Sequence, residues 1–143
     1  YRQEALLRKG GYTDYINHRS DMKLVWQFEG DYTFECGQAA YHNFKQAGNR
    51  PRAIFSSNDY SALGFIEEAL DDGLSIPDDV AISGFDNLPI CEIVQPRLTS
   101  IGTNFEDLGH TIFNVIKEKM DKREGHRGVS SIVPVEIVAR EST

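Results

Sequence analysis

Pro51-Arg-Ala-Ile-Phe-Ser-Ser-Asn-Asp-Tyr-Ser-Ala-Leu-Gly64 carries a short apolar run directly into Asn58 and Asp59, and Val80-Ala-Ile-Ser-Gly-Phe-Asp-Asn87 repeats the device into Asp86 and Asn87. Each run has the length and branching of a strand buried on both faces. In an open α/β sheet, ligands sit outside the carboxyl ends of the strands. Two strands that end in paired Asp and Asn side chains therefore predict one polar crevice and a ligand to fill it.

The flanking sequence predicts strand–helix alternation. Residues 2–17 read as a helix with Ala5, Leu6, Tyr12 and Ile16 on its apolar positions and no capping residue in front. Leu24 to Phe28 reads as a strand, after which Asp31 or Thr33 caps a helix with Gly37, Ala40, Tyr41, Phe44 and Ala47 on one face, ending at Gly48. Ala53 to Ser57 is the next strand. Asp59 is expected to cap a helix that turns Ala62, Ile66, Ala69 and Leu70 inward and stops at Gly73. Val80 leads a further strand, Pro89 and Pro96 lie in a long loop, and Leu98 to Ile101 is a brief strand. Asn104 caps a last helix with Leu108, Ile112, Val115 and Met120 in a stripe that fades at Gly125, and Ile132 to Ala139 closes the chain as a strand. Alternation at this spacing implies right-handed crossovers and an α/β, doubly wound, mostly parallel sheet with helices on both faces.

The chain has 143 residues, 40% hydrophobic and 26% charged, enough for a folded domain with its own core. Its net charge of −7 and the absence of a basic run give it no electrostatic footprint for nucleic acid. Cys36 and Cys91 lack CxxC spacing and histidine neighbours, so both read as free thiols in a reducing compartment, and no metal or cofactor is implied. His18, His42, His110 and His126 are scattered and read as surface residues. No apolar run approaches the roughly 20 residues of a membrane helix, and no signal-peptide layout opens the sequence, so a cytoplasmic location is expected. Glycine-rich phosphate loops and a GxSxG elbow are absent.

Four residues are the candidates for ligand binding: Arg8, Tyr32, Asn58 and Asp86. Carboxylate and amide groups take hydroxyls in pairs, an aromatic ring covers the apolar face of a sugar or base, and a guanidinium offers a planar donor fork. The plainer readings stand beside them: Arg8 on a solvent-facing helix side, Asp59 as a cap, Asn87 as a turn, Trp26 as core packing. A hydrolase using Asp59 and Asp86 as paired carboxylates is the catalytic alternative.

Arg8-x-x-Gly11-Tyr12, Glu29-Gly-Asp-Tyr32, Pro51-x-Ala-Ile-Phe-x-x-Asn-Asp59 with Ala62-x-Gly64, Ile76-Pro-x-Asp-Val80, Gly84-Phe-Asp86, Pro96-x-Leu-Thr99, Leu108-Gly109 and Arg140-Glu-Ser-Thr143 follow one another along nearly the whole chain. In that order they resemble the effector-binding region of the lactose-repressor and galactose-repressor (LacI/GalR) family of bacterial transcription regulators. The resemblance implies a fold like a periplasmic sugar-binding protein, with two doubly wound lobes and an effector between them. Residues 1–103 would then form the second lobe without the strand that precedes the Arg8 helix, 104–128 a helix of the first lobe, and 129–143 the return strand and C-terminal segment. Arg8, Tyr32, Asn58 and Asp86 fall where family members read the effector, a sugar, sugar phosphate or purine.

The helix from Tyr60 to Leu70 and the loop from Leu88 to Arg97 resemble the family's dimerisation surface, so a homodimer is expected. The DNA-reading helix-turn-helix and most of the first lobe are expected to lie outside this sequence, so operator DNA is a partner only through them. The helix at Asn104, without that lobe, is expected to pack elsewhere or against a second chain. A periplasmic solute receptor of the same fold is the rival reading; the Pro96-Arg-Leu-Thr99 and Arg140-Glu-Ser-Thr143 motifs favour the regulator.

Overall fold

Ala53–Phe55 (β1), Ala81–Phe85 (β2) and Thr99–Gly102 (β3) pair as a parallel sheet, and Glu136–Val138 (β4) adds to its β3 edge antiparallel, in the order β1-β2-β3-β4. Ala53 stands opposite Ala81, Ser83 opposite Thr99, and Ser100 opposite Val138. The computed structural model describes residues 3–121 and 128–143; the expected fading of the last helix at Gly125, and His126, lie outside them. The helices are Gln3–Asn17 (α1), Phe34–Gln46 (α2), Asp59–Asp71 (α3) and Phe105–Asp121 (α4), with a short 3-10 turn at Pro89–Glu92. The architecture is mostly parallel α/β, as the alternation predicts.

Alternation along β2 divides the sheet's two faces. Ile82 and Gly84 are buried toward α3, while Ala81, Ser83 and Phe85 point the other way, toward α1. The core sits on the α3 side, where Tyr41, Phe44, Phe65, Ile66, Ile82, Cys91 and Leu98 pack together. Phe65 meets Tyr41 and Phe44 edge-on, each at 5.3 Å between ring centres. Helices α2 and α3 cross with their backbones nearly touching. A Cβ on Gly37 would strike the carbonyl of Ser61, and one on Gly64 would strike the carbonyl of Phe34.

On the opposite face α1 is thinly attached: Ile16 is its only buried residue, and Tyr12 stacks on Phe55 at 5.2 Å. The C-terminus is stitched beneath the sheet by Ser142, which is fully buried. Its carbonyl accepts from the Ile82 N–H at 2.9 Å, and its hydroxyl donates to the Ile82 carbonyl at 2.7 Å.

Several expectations are corrected. Leu24 to Phe28 forms no strand and joins no ladder, because a strand needs a partner and β1 lies across a cleft of about 300 Å³ lined by 23–30 on one side and Pro51 with 53–57 on the other. Trp26 nevertheless packs on Phe44 and Phe65, and its indole N–H donates to Asn43 at 2.9 Å. The cap of α3 is Asn58, whose Oδ1 accepts from the Ser61 N–H at 3.2 Å; Asp59 is instead fully buried. Leu70, expected inside, is partly exposed. Asn104 does cap α4 through the Glu106 N–H, yet no residue of α4 is buried, and Ile112, Phe113, Ile116 and Met120 all stand open to solvent.

Candidate functional site

The carboxyl ends of β1 and β2 gather the predicted residues into two linked pairs. From α1, the Arg8 side chain turns toward the sheet: Nη1 donates to the Ser57 carbonyl at 2.6 Å and Nη2 lies 3.5 Å from Asp86 Oδ1. Its guanidinium carbon also stands over Phe85, 3.8 Å from the ring centre. Beside it, Asn58 Nδ2 donates to the Tyr32 carbonyl at 2.8 Å. The pairs are joined through the Ser57–Asn58 backbone; Tyr32 enters by its backbone carbonyl and lines a separate hollow from Arg8. Asn58 is only 5% exposed, with one N–H and one lone pair of its amide left over after the cap and the Tyr32 bond.

Local conformation singles out the same places. Tyr32 has φ 74°, Asp86 φ 111° and Asn87 φ 51°, left-handed values that side chains larger than glycine adopt at a cost of about 1–3 kcal/mol each. Two of the four candidates are thus held in strained backbone. Burial pushes the Asp86 carboxyl above the usual aspartate range; the Arg8 guanidinium opposes the rise and the Asp59 carboxylate adds to it.

Asp59 is unavailable for paired-carboxylate catalysis. Its Oδ1 accepts from the Ser100 hydroxyl at 2.5 Å and its Oδ2 from the Leu88 N–H at 2.8 Å, with no exposed surface. The adjacent Cys91 thiol is also inert: burial, then the Asp59 carboxylate, pushes it up to about 12. Cys36 and Cys91 are both free thiols. His42 and His110 are exposed, paired only with Glu68 and Glu106 on the surface.

Two hollows border these pairs. The cleft between residues 23–30 and β1 includes Tyr32, and a second, between α1 and the sheet, is lined by Arg8, Tyr12, Ser83, Phe85 and Ile101. Neither takes in Asn58 or Asp86. Phe85, Ser57, Ser100 and Arg140 are the participants that pattern reading missed. Phe85 and Arg140 had a signal, standing in the quoted Gly84-Phe-Asp86 and Arg140-Glu-Ser-Thr143; Ser57 contributes a backbone carbonyl and Ser100 meets the site only through tertiary contacts. Among the described residues no cluster of His, Cys, Asp or Glu suits a metal ion, and no helix is long and apolar enough to cross a membrane.

A sequence family described as the periplasmic binding protein-like domain matches residues 2–143. The chain is 34% identical over 149 aligned residues to the NTD biosynthesis operon regulator NtdR of Bacillus subtilis, covering 100% of this chain and 44% of that protein. It is 36% identical to catabolite control protein A of Priestia megaterium over 80% of this chain and 34% of the relative. Among solved structures, the Lac repressor bound to ONPG in its repressed state superposes with a TM-score of 0.84 at 26% identity, over 98% of this chain and 42% of that one. The chain thus spans less than half the length of these relatives. It belongs to the periplasmic binding protein-like domain family, in the form carried by LacI-family transcription regulators.

Proposed function

We propose that this chain is the effector-sensing part of a LacI/GalR-type regulator, in which a small sugar-like, sugar-phosphate or purine ligand binds across Arg8, Tyr32, Asn58 and Asp86. The observation that carries the reading is the Arg8–Asp86 pair, seated on Phe85 at the strand ends beside the Asn58–Tyr32 pair. A guanidinium held 23% exposed next to a carboxylate 39% exposed presents donors and acceptors together, the pattern a polyol or a purine edge requires.

Residues 104–128 belong to the other lobe in this reading, which accounts for the uncovered apolar stripe of α4. Tyr60 and Ile93, both exposed, lie on the surface assigned to homodimerisation. Effector closure of the lobes shifts the population of states in which two DNA-reading heads, outside this sequence, match the operator. The protein acts in the cytoplasm and performs no catalysis.

The test is Asp86→Ala in the intact regulator, with operator binding measured with and without candidate effectors. The expected outcome is unchanged DNA affinity and no response to effector; a normal response removes Asp86 from the site. On the 143-residue chain, amide shifts on titration with D-ribose, D-glucose 6-phosphate and hypoxanthine should cluster at 30–33, 56–59 and 84–87 for one of the three.

A further inference from the structure

We infer that Asp59 and Ser100 are a positioning pair that fixes the Asp86 turn from below, so that Asp59 governs effector binding without touching effector. The inference rests on the proposed role of Asp86 only for its consequence; the geometry stands apart from it.

Three consecutive backbone N–H groups leave the end of β2, and each is held. The Asp86 N–H donates to the Ile101 carbonyl at 2.7 Å, the Asn87 N–H to Ser100 Oγ at 3.0 Å, and the Leu88 N–H to Asp59 Oδ2 at 2.8 Å. Ser100 Oγ, which accepts from Asn87, in turn donates a hydrogen bond to Asp59 Oδ1 at 2.5 Å. A single carboxylate therefore anchors Leu88 directly and Asn87 through one hydroxyl, and both groups are fully buried. From the other side Arg140 Nη2 donates to Asn87 Oδ1 at 2.9 Å while its Nη1 holds the Leu98 carbonyl at 2.8 Å.

This clamp has a physical purpose in the backbone it holds. Asp86 and Asn87 sit at positive φ and relax toward ordinary values unless the surroundings over-determine them. A buried carboxylate is costly without partners, and here its partners are the turn itself, which locks the two together. The approach is close enough that a Cβ on Gly84 would collide with Asp59 Oδ1. Asp59 was open to two plainer assignments, helix cap and catalytic acid; Asn58 occupies the first and burial removes the second.

The test reads Asp86 in the intact 143-residue chain with no ligand present, so its failure and that of the effector reading are distinguishable. Ser100→Ala keeps the Asp59 charge but cuts its link to Asn87. In that variant the carbon-13 carboxyl titration of Asp86 should fall toward the ordinary aspartate midpoint, and the backbone three-bond coupling of Asn87 should leave its left-handed value. Asp59→Asn should do the same, with part of its titration change coming from the lost charge. Tyr41→Phe, which removes a hydrogen bond on the α2 side, should lower stability and move neither reading. Wild-type values of both in folded Ser100→Ala overturn the inference. If the variants do not fold, amide exchange of the wild type decides: Asn87 and Leu88 N–H protected as strongly as β2 support the clamp, and rapid exchange there refutes it.

Discussion

Replacing Arg8 with lysine asks how α1 is fastened to the sheet. The arginine makes three contacts at once: a charged hydrogen bond to the Ser57 carbonyl at 2.6 Å, a cation–ring contact with Phe85 at 3.8 Å, and the 3.5 Å approach to Asp86. A charged hydrogen bond contributes about 1.5–3 kcal/mol and the ring contact about 0.5–1 kcal/mol. The ion pair adds at most about 1 kcal/mol, because Asp86 is partly exposed and water screens it. Lysine keeps the charge and one of these contacts but cannot fork, so the expected loss is about 2 kcal/mol.

That loss falls on a helix whose only buried residue is Ile16, so it opens α1 locally and leaves the α2–α3 core folded. Native-state hydrogen exchange is the assay. Amides of α1 should exchange about 30-fold faster than in the wild type, while those of α3 stay unchanged. Equal acceleration in both helices, or none in α1, would refute the argument that Arg8 is the fastening.

Gly64→Ala should destabilise the whole fold by about 1–3 kcal/mol through overpacking against the Phe34 carbonyl, read as a lower denaturation midpoint with unchanged slope. Tyr41→Phe removes the hydroxyl that donates to Asp72 at 2.7 Å, where Lys45 also pairs, and should cost about 1 kcal/mol in urea unfolding. Asp86, with its pKa raised in the folded state, binds its proton more tightly there than in the unfolded chain. Its contribution to stability is therefore present in acid and lost as pH rises through the folded value. The Arg8 partner disappears on acidification at a pH above the ordinary aspartate range, so affinity for any ligand that uses the Asp86 carboxylate should fall there. A midpoint at or below the ordinary range would contradict the desolvation argument.

The fold was legible where the information is local. Of the two caps read for α2, Asp31 and Thr33, the structure uses Thr33, its hydroxyl accepting from the Cys36 N–H, because a cap is decided within three residues. The Ala53 and Val80 runs became strands at the places the apolar pattern marks, although burial on both faces, as read, is not met in β1, where Ala53 is exposed and Ile54 and Phe55 are half-buried. Leu24 to Phe28 has the same composition and no ladder, since pairing depends on a neighbour that no local pattern reports. Asn58 and Asp59 are equally good caps in sequence; which of them turned inward was decided by Ser100, forty-one residues away. The α4 stripe was read correctly as a stripe, but periodicity states which residues align and says nothing about what meets them. For the candidate site, strand-end logic located Asn58 and Asp86, while Arg8 comes from α1 and Tyr32 from a loop that follows no strand; of the supports beneath, Asp59 and Arg140 stood in quoted motifs, whereas the part of Ser100 is tertiary and had no sequence signal.

The open stripe of α4 also bears on how the chain behaves in solution. Phe105, Ile112, Phe113, Ile116 and Met120 form an adhesive surface on a molecule whose −7 charge keeps like molecules apart. Salt shortens the reach of that repulsion to about 3 Å at 1 M and leaves the attraction between apolar faces intact. Raising ionic strength should therefore turn a well-dispersed preparation into a self-associating one, with light scattering climbing as the electrolyte is added.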